Sequence, residues 1–184
     1  MDLPENNPVL GVLGIKEKPA ATDQEWVTRQ AHKAAITEVL MEYGQYCDLR
    51  DYQSLFSLYT DDIERVLGGT LKERVNGKPA LMEKYVHPQY TRAEDGKPSI
   101  AAKGRKSRHM MATPVIKLSD DLKEAWSSMY FSLISTAEVN GELVRAAHEG
   151  TYLFHLVRQD RDWKIKKFVV NSELALDPLF QPAR

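Results

Sequence analysis

Apolar side chains recur at helical spacing through Trp26, Ile36, Val39, Leu40 and Tyr43. That stripe predicts one long amphipathic helix starting at Thr22 or Asp23, with Glu25 and Glu38 on its exposed side. It runs out at Tyr43-Gly44-Gln45-Tyr46-Cys47-Asp48. Asp51-Tyr52-Gln53-Ser54-Leu55-Phe56 then reads as a short helix capped by Asp51. Thr60-Asp61-Asp62 reads as a turn, Ile63 to Leu67 as a strand, and Gly68-Gly69 as the hairpin into Thr70 to Val75. Asn76-Gly77 is a turn, and Lys78 to Tyr85 a short helix with Pro79 in its first turn. Residues 87 to 108 mix Pro88, Gly96, Pro98 and Gly104 with charges, which predicts a long loop that is a candidate lid.

From Arg108 onward the period changes to two. Strands are predicted over His109 to Leu118, Leu122 to Val139, Glu142 to Arg158 and Trp163 to Asn171, with Asn140-Gly141 as a two-residue hairpin turn. Helices followed by long strands predict an α+β fold in which a strongly bent antiparallel sheet wraps the N-terminal helices. Gly150 is its expected bend point. Residues 1–21, with Pro4, Pro8, Gly11, Gly14 and Pro19, read as an extended arm that packs on a neighbouring subunit through Val9, Leu10 and Val12. Residues 22–173 form the α+β domain, and 174–184 an irregular tail.

Alternation places His109, Met111, Thr113 and Val115 on one side of their strand. Trp126, Ser128, Tyr130, Ser132 and Ile134 share a side of the next, and Val144, Ala146, His148, Tyr152 and Phe154 a side of the third. These three sets are the expected lining of the concave face, an apolar pocket with a few polar groups. Met129, Phe131 and Leu133 then fall on the convex face. His155 faces solvent on this reading, and His32 and His87 lie on surfaces.

Composition adds exclusions. The 184 residues suit one domain, and 42% hydrophobic with 28% charged content is that of a soluble globular chain. A formal charge of −1 gives no footprint for nucleic acid or an anionic membrane, and the basic cluster Lys103, Arg105, Lys106 and Arg108 lacks interleaved aromatics. One cysteine excludes an intrachain disulfide and a thiolate zinc site, leaving Cys47 as a small buried hydrophobe. No apolar run spans a bilayer and the N-terminus lacks signal-peptide character, so a cytoplasmic location is expected. Phosphate-loop, Gly-x-Ser-x-Gly and His-Glu-x-x-His motifs are missing.

The order of Tyr43, Asp48, Leu55-Phe56-Ser57-Leu58-Tyr59-Thr60-Asp61-Asp62, Gly77 with its short helix, Arg108-His109-Met110-Met111, and Gly150 to Arg158 followed by Trp163-Lys164-Ile165 resembles the nuclear transport factor 2-like superfamily. The closer likeness is to its branch of SnoaL-like polyketide cyclases, scytalone dehydratase and bile acid 7α-dehydratases, over about residues 25 to 172. The resemblance implies a cone-shaped α+β barrel with an acid-base site, no metal and no organic cofactor. It also implies a homodimer or homotrimer formed through the convex face. In the dehydratases an Asp at the end of the first helix pairs with a strand His, and a Tyr one turn earlier binds substrate; those positions match Asp48, His109 and Tyr43. Tyr43 and Asp48 lie about 140° apart on an ideal helix, so their convergence implies that the helix ends or bends near Gly44.

The match is partial. The further Asp of the bile acid enzymes falls at Ser132, their late Arg at Ser172 or Asn171, and the second His of scytalone dehydratase is absent. The reading that follows is an acid-base lyase or isomerase acting on a small apolar oxygenated molecule. In it Asp48 orients His109, Tyr43 or Tyr130 stabilises developing negative charge, and Trp126, Ser132 and His148 position the substrate. The alternatives are a non-catalytic ligand-binding protein and an assembly subunit like the β-subunits of ring-hydroxylating dioxygenases.

Overall fold

The long helix is built from its caps inward. Thr22 takes an extended conformation and its Oγ1 accepts the backbone N–H of Glu25 at 3.1 Å, while Glu25 Oε2 accepts that of Ala21 at 2.8 Å. Helix α2 then runs unbroken over Asp23–Leu49 and stops where Arg50 turns left-handed, its N–H bonded back to the Cys47 carbonyl. Asp51 starts α3 (Tyr52–Ser57) by accepting the backbone N–H and the hydroxyl of Ser54. The computed structural model describes residues 8–67, 73–86, 106–139 and 142–172. The Gly68-Gly69 and Asn140-Gly141 turns, loop residues 87–105 and the tail from 174 lie outside the described residues.

The remaining elements are α1 (Pro8–Gly14), β1 (Tyr59–Leu67), β2 (Glu73–Asn76), α4 (Lys78–Val86), β3 (Lys106–Met111), β4 (Val115–Leu118), β5 (Glu124–Val139), β6 (Glu142–Gln159) and β7 (Asp162–Ser172). The described strands form one sheet in the order β2-β1-β7-β6-β5-β3, with β4 also pairing to β5. All pairs are antiparallel except β1 with β7. The sheet is therefore mixed, because the chain's first strand is joined edge-on to its last by everything between them.

One face of the sheet packs on the helices. Ile36, Leu40 and Tyr43 of α2, Leu55 and Phe56 of α3 and Leu81 of α4 are buried there against Met129, Phe131, Tyr152 and Phe168. Trp26, placed on the buried stripe by its spacing, is instead 57% exposed: the first buried apolar residue of α2 is Ile36, nearly three turns later. Gly150 marks a sharp fold of the sheet, since a Cβ there would sit 2.1 Å from the Asn171 carbonyl oxygen on β7.

Four expectations need correction. Residues 60–62 are strand, not turn, because β1 pairs from Tyr59 onward with β7. Lys106 to Arg108 belong to β3 rather than to the loop. The predicted strand from His109 to Leu118 is two strands. Residues 112–114, which end in Pro114, insert one extra residue against β5, so odd positions face the helices in β3 and even ones in β4. Residues 8–14 form a helix, and Val12, fully buried, packs on Trp126, Leu153 and Val169 of its own sheet rather than on a neighbour. Glu17 ties this arm down, accepting Lys33 Nζ at 2.9 Å and the Leu118 N–H at 3.1 Å.

Candidate active site

Gly44 and Asp48 are one helical turn apart and share a face of α2. Strand β3 crosses that face at close quarters: a Cβ on Gly44 would stand 2.6 Å from Met111 Sδ and 3.3 Å from His109 Cβ. His109 thus rides directly over the glycine. One turn further on, the Asp48 carboxylate holds it twice. Oδ2 accepts the backbone N–H of His109 at 2.8 Å, and Oδ1 lies 2.7 Å from Nδ1. Both side chains are nearly closed off, His109 at 9% and Asp48 at 11% exposure.

The two bonds answer a local problem. A carboxylate in the last turn of a helix faces the negative end of the macrodipole, and two N–H donors compensate for that. The next helix is capped by Asp51, so Asp48 serves β3 alone among these tasks. Because a carboxylate only accepts, Nδ1 carries the proton and Nε2 is the basic nitrogen of the neutral ring.

Tyr43 reaches the same histidine from the other side of Gly44, its ring 6.1 Å from that of His109 at 72°. No bend in α2 is required, since His109 sits above the glycine and touches both neighbours. The Tyr43 ring also edges onto Tyr152, Phe154 and Phe168. A hydrogen bond links the Tyr43 hydroxyl to the Cys47 thiol one turn along. Burial pushes that thiol up to about 12, although Tyr43 and the Arg65 guanidinium act in the opposite direction.

His148 joins this side of the sheet. The register aligns His109 with Leu133 and Leu133 with His148, so the three form one row across β3, β5 and β6. The His148 ring meets the edge of Phe131 at 5.7 Å, and Phe131 stacks on Tyr152 at 3.8 Å.

Trp126, Tyr130 and Ser132 lie on the opposite face. Trp126 is covered by Val12 and stacks flat on His155 at 5.4 Å, so His155 faces a ring rather than open solvent. Tyr130 is 64% exposed, and the Ser132 hydroxyl points to Glu149 Oε1 at 3.3 Å. Met129, Phe131 and Leu133, expected on the convex face, pack instead toward the helices. The physical reason is parity. A two-residue hairpin pairs Val139 with Glu142, so even positions of β6 share a face with odd positions of β5. The turn itself therefore contained the signal that placed Phe131 and Leu133 beside His148. Thr113 and Val115 leave the lining through the extra residue before β4. Arg65 was hidden because β1 begins earlier than its apolar run; alternation puts it between Ile63 and Leu67, both packed in the core.

His32 is a ring partner as well as a surface residue: its Nδ1 accepts Trp163 Nε1–H at 3.3 Å. Among the described residues no group of three His, Cys, Asp or Glu side chains is placed to hold a metal ion, and no helix is long and apolar enough to cross a membrane.

Comparison with known families decides the kinship: residues 28–169 match the model of the SnoaL-like domain. The chain belongs to the SnoaL-like domain family. Its fold is shared with a nuclear transport factor 2-like protein of cystatin-like fold from Novosphingobium aromaticivorans, at 15% identity and TM-score 0.60, covering 89% of this chain and 99% of that one. A candidate scytalone dehydratase from the same organism is similar at 16% identity and TM-score 0.60, over 85% and 98% of the two chains. A hexachlorocyclohexane dehydrochlorinase is similar at 15% identity and TM-score 0.61, over 80% and 89%. At such identities the likeness is one of fold. No curated protein matches the chain in sequence.

Proposed function

We propose that this SnoaL-like chain is an acid-base enzyme that moves protons on a small, apolar, oxygenated molecule using protein side chains alone. The reaction is of the dehydratase, isomerase or cyclase type. The observation that carries the proposal is the double hold of Asp48 on His109, from 61 residues away in sequence. A carboxylate placed on both the backbone N–H and Nδ1 fixes the position, rotamer and tautomer of one imidazole. That is the arrangement a general base needs. His109 Nε2 takes a proton from carbon next to a carbonyl, and the imidazolium that forms is stabilised by the Asp48 charge. The rings of Tyr43 and Tyr152 beside His109 favour an apolar substrate body. Two similar structures bear the names of elimination enzymes, a dehydratase and a dehydrochlorinase, which agrees with carbon-acid chemistry.

The test needs no knowledge of the natural substrate. Exchange of the C2 protons of cyclohexanone for deuterium, followed by NMR in heavy water, is expected to run faster with the chain than in buffer. His109→Ala is expected to lower the enzyme-dependent rate roughly a hundredfold or more, and Asp48→Asn to lower it by a similar order. Absence of acceleration, or an undiminished rate in a folded His109→Ala variant, would sink the proposal.

A further inference from the structure

We infer that α1 is a proton-released arm: it stays docked on the outer face of the sheet while His155 is neutral and leaves, with the rest of the fold intact, when His155 becomes an imidazolium. The inference stands apart from the chemistry at His109 and begins with how little holds α1. The helix has seven residues, Pro8–Gly14, with Gly11 in its interior. Isolated helices shorter than about 12–15 residues are marginal in water, and an interior glycine costs about 1 kcal/mol relative to alanine. α1 therefore exists because it is docked. The docking rests on Val12, which closes a cluster of Trp126, Leu153 and Val169 separate from the main core, with Ile15 and Val66 at its edge.

The chain after α1 is fixed more firmly. Glu17 accepts Lys33 Nζ and the Leu118 N–H, and Lys18 pairs with Asp120 at 2.9 Å. These ties hold the arm from residue 17 onward. A release therefore pivots at Ile15 and Lys16 and leaves α2 and the strands in place.

His155 sits where α1 docks. The helix lies across β4, β5 and β6, and His155 follows Leu153 by two residues on the outer face of β6. Its ring lies flat on Trp126, the floor under Val12, at 5.4 Å. The charged groups around it come from the strands. Glu124 of β5 meets Nε2 at 3.2 Å. Lys167 of β7 stands opposite in the register and is paired to Glu64 of β1 at 2.9 Å. Lys166 precedes it, and Lys117 of β4 stands opposite Trp126. α1 itself carries no charged residue, so its docking adds only the exclusion of water.

That fixes the sign. Burial lowers the His155 pKa and outweighs Glu124, which raises it, while Lys166 adds to the lowering. Once α1 leaves, water reaches the ring and hydrates the imidazolium. Docking is therefore fully favoured above the ordinary histidine value near 6.5 and loses that support as pH falls below it. Proton uptake pulls α1 off and uncovers Trp126, Leu153 and Val169.

Amide hydrogen exchange of the intact chain, followed by NMR and corrected for the intrinsic rate at each pH, reads the docking directly. Protection of Val12 and Leu13 is expected to fall at least roughly threefold between pH 7.5 and 5.5, while Leu153 and Phe154 keep theirs. His155→Gln can still bond Glu124 but takes up no proton, and is expected to abolish the fall. Glu124→Gln strips the docked imidazolium of its counter-charge and is expected to enlarge it. Linkage runs both ways. Val12→Asn, which would bury an amide without a partner, is therefore expected to raise the pKa of His155, read from its imidazole C–H shifts. Constant protection in the wild type, a fall that persists in His155→Gln, or a matching fall at Leu153 and Phe154 overturns the inference. So does an unmoved His155 titration in a folded Val12→Asn variant.

Discussion

Gly44 lets a helix and a strand approach closely enough for one carboxylate to hold a histidine backbone and ring together. Alanine is worth about 1 kcal/mol more than glycine inside a helix, so propensity alone favours Gly44→Ala. Against it stand Met111 Sδ and His109 Cβ within 2.6 and 3.3 Å of the added carbon. The thioether is a flexible end and swings aside, but His109 Cβ moves only if β3 moves. Overpacking of this kind costs about 1–3 kcal/mol. The expected outcome is a net loss near 1 kcal/mol in urea unfolding and a proton-exchange rate lowered at least roughly tenfold, because a displaced base loses its geometry. Unchanged exchange in Gly44→Ala would show that the close approach is not needed. The candidate pair itself was legible before any fold, through its place in the resemblance. Its reliance on an unbent helix was not: angular spacing treats side chains as equal in reach, and here a long tyrosine and a short aspartate meet one ring.

At the scale of elements, periodicity and capping identified α2, α3, α4 and the long strands, but not α1, because both signals depend on neighbours a few residues apart. Faces were harder. His109 and Met111 on β3 and His148, Tyr152 and Phe154 on β6 were assigned to the helix-facing side, where they lie. β5 was inverted, taking Trp126, Tyr130 and Ser132 into a pocket they do not line. Apolar residues occupy both faces of β5, since α1 covers Trp126 while the helices cover Met129 and Phe131. A strand buried on both sides carries no alternation to read. The arm that hides the second face is itself testable. Truncating fully buried Val12 to alanine is expected to cost about 1–2 kcal/mol of stability by urea unfolding and to leave proton exchange unchanged. A stability loss below the error of the measurement would mean that α1 does not hold the sheet.

For the whole molecule, two histidines far from the candidate site set a pH response. Burial lowers the pKa of both His155, held between Trp126 and Glu124, and His32, the acceptor of Trp163. A histidine lowered in the folded state binds its proton first in the unfolded chain. Stability from this source is therefore complete above the unfolded value near 6.5 and is lost as pH falls below it toward the folded values. The urea midpoint is expected to drop between pH 7.5 and 5.5, and His155→Gln to reduce that drop. A midpoint that rises on acidification would contradict the burial of both rings.

The sequence by itself determined the helix caps, the strand periods, the hairpin order and the family resemblance that pairs Asp48 with His109. Each of these is a local signal or an ordered set of them. Tertiary structure alone decided that α1 folds back on its own sheet, that β1 joins β7 in parallel, and that His109, Leu133 and His148 form one row. Those outcomes depend on register, and register is a sum over the whole meander: one extra residue before β4, or one parity missed at a turn, sends every later side chain to the other face.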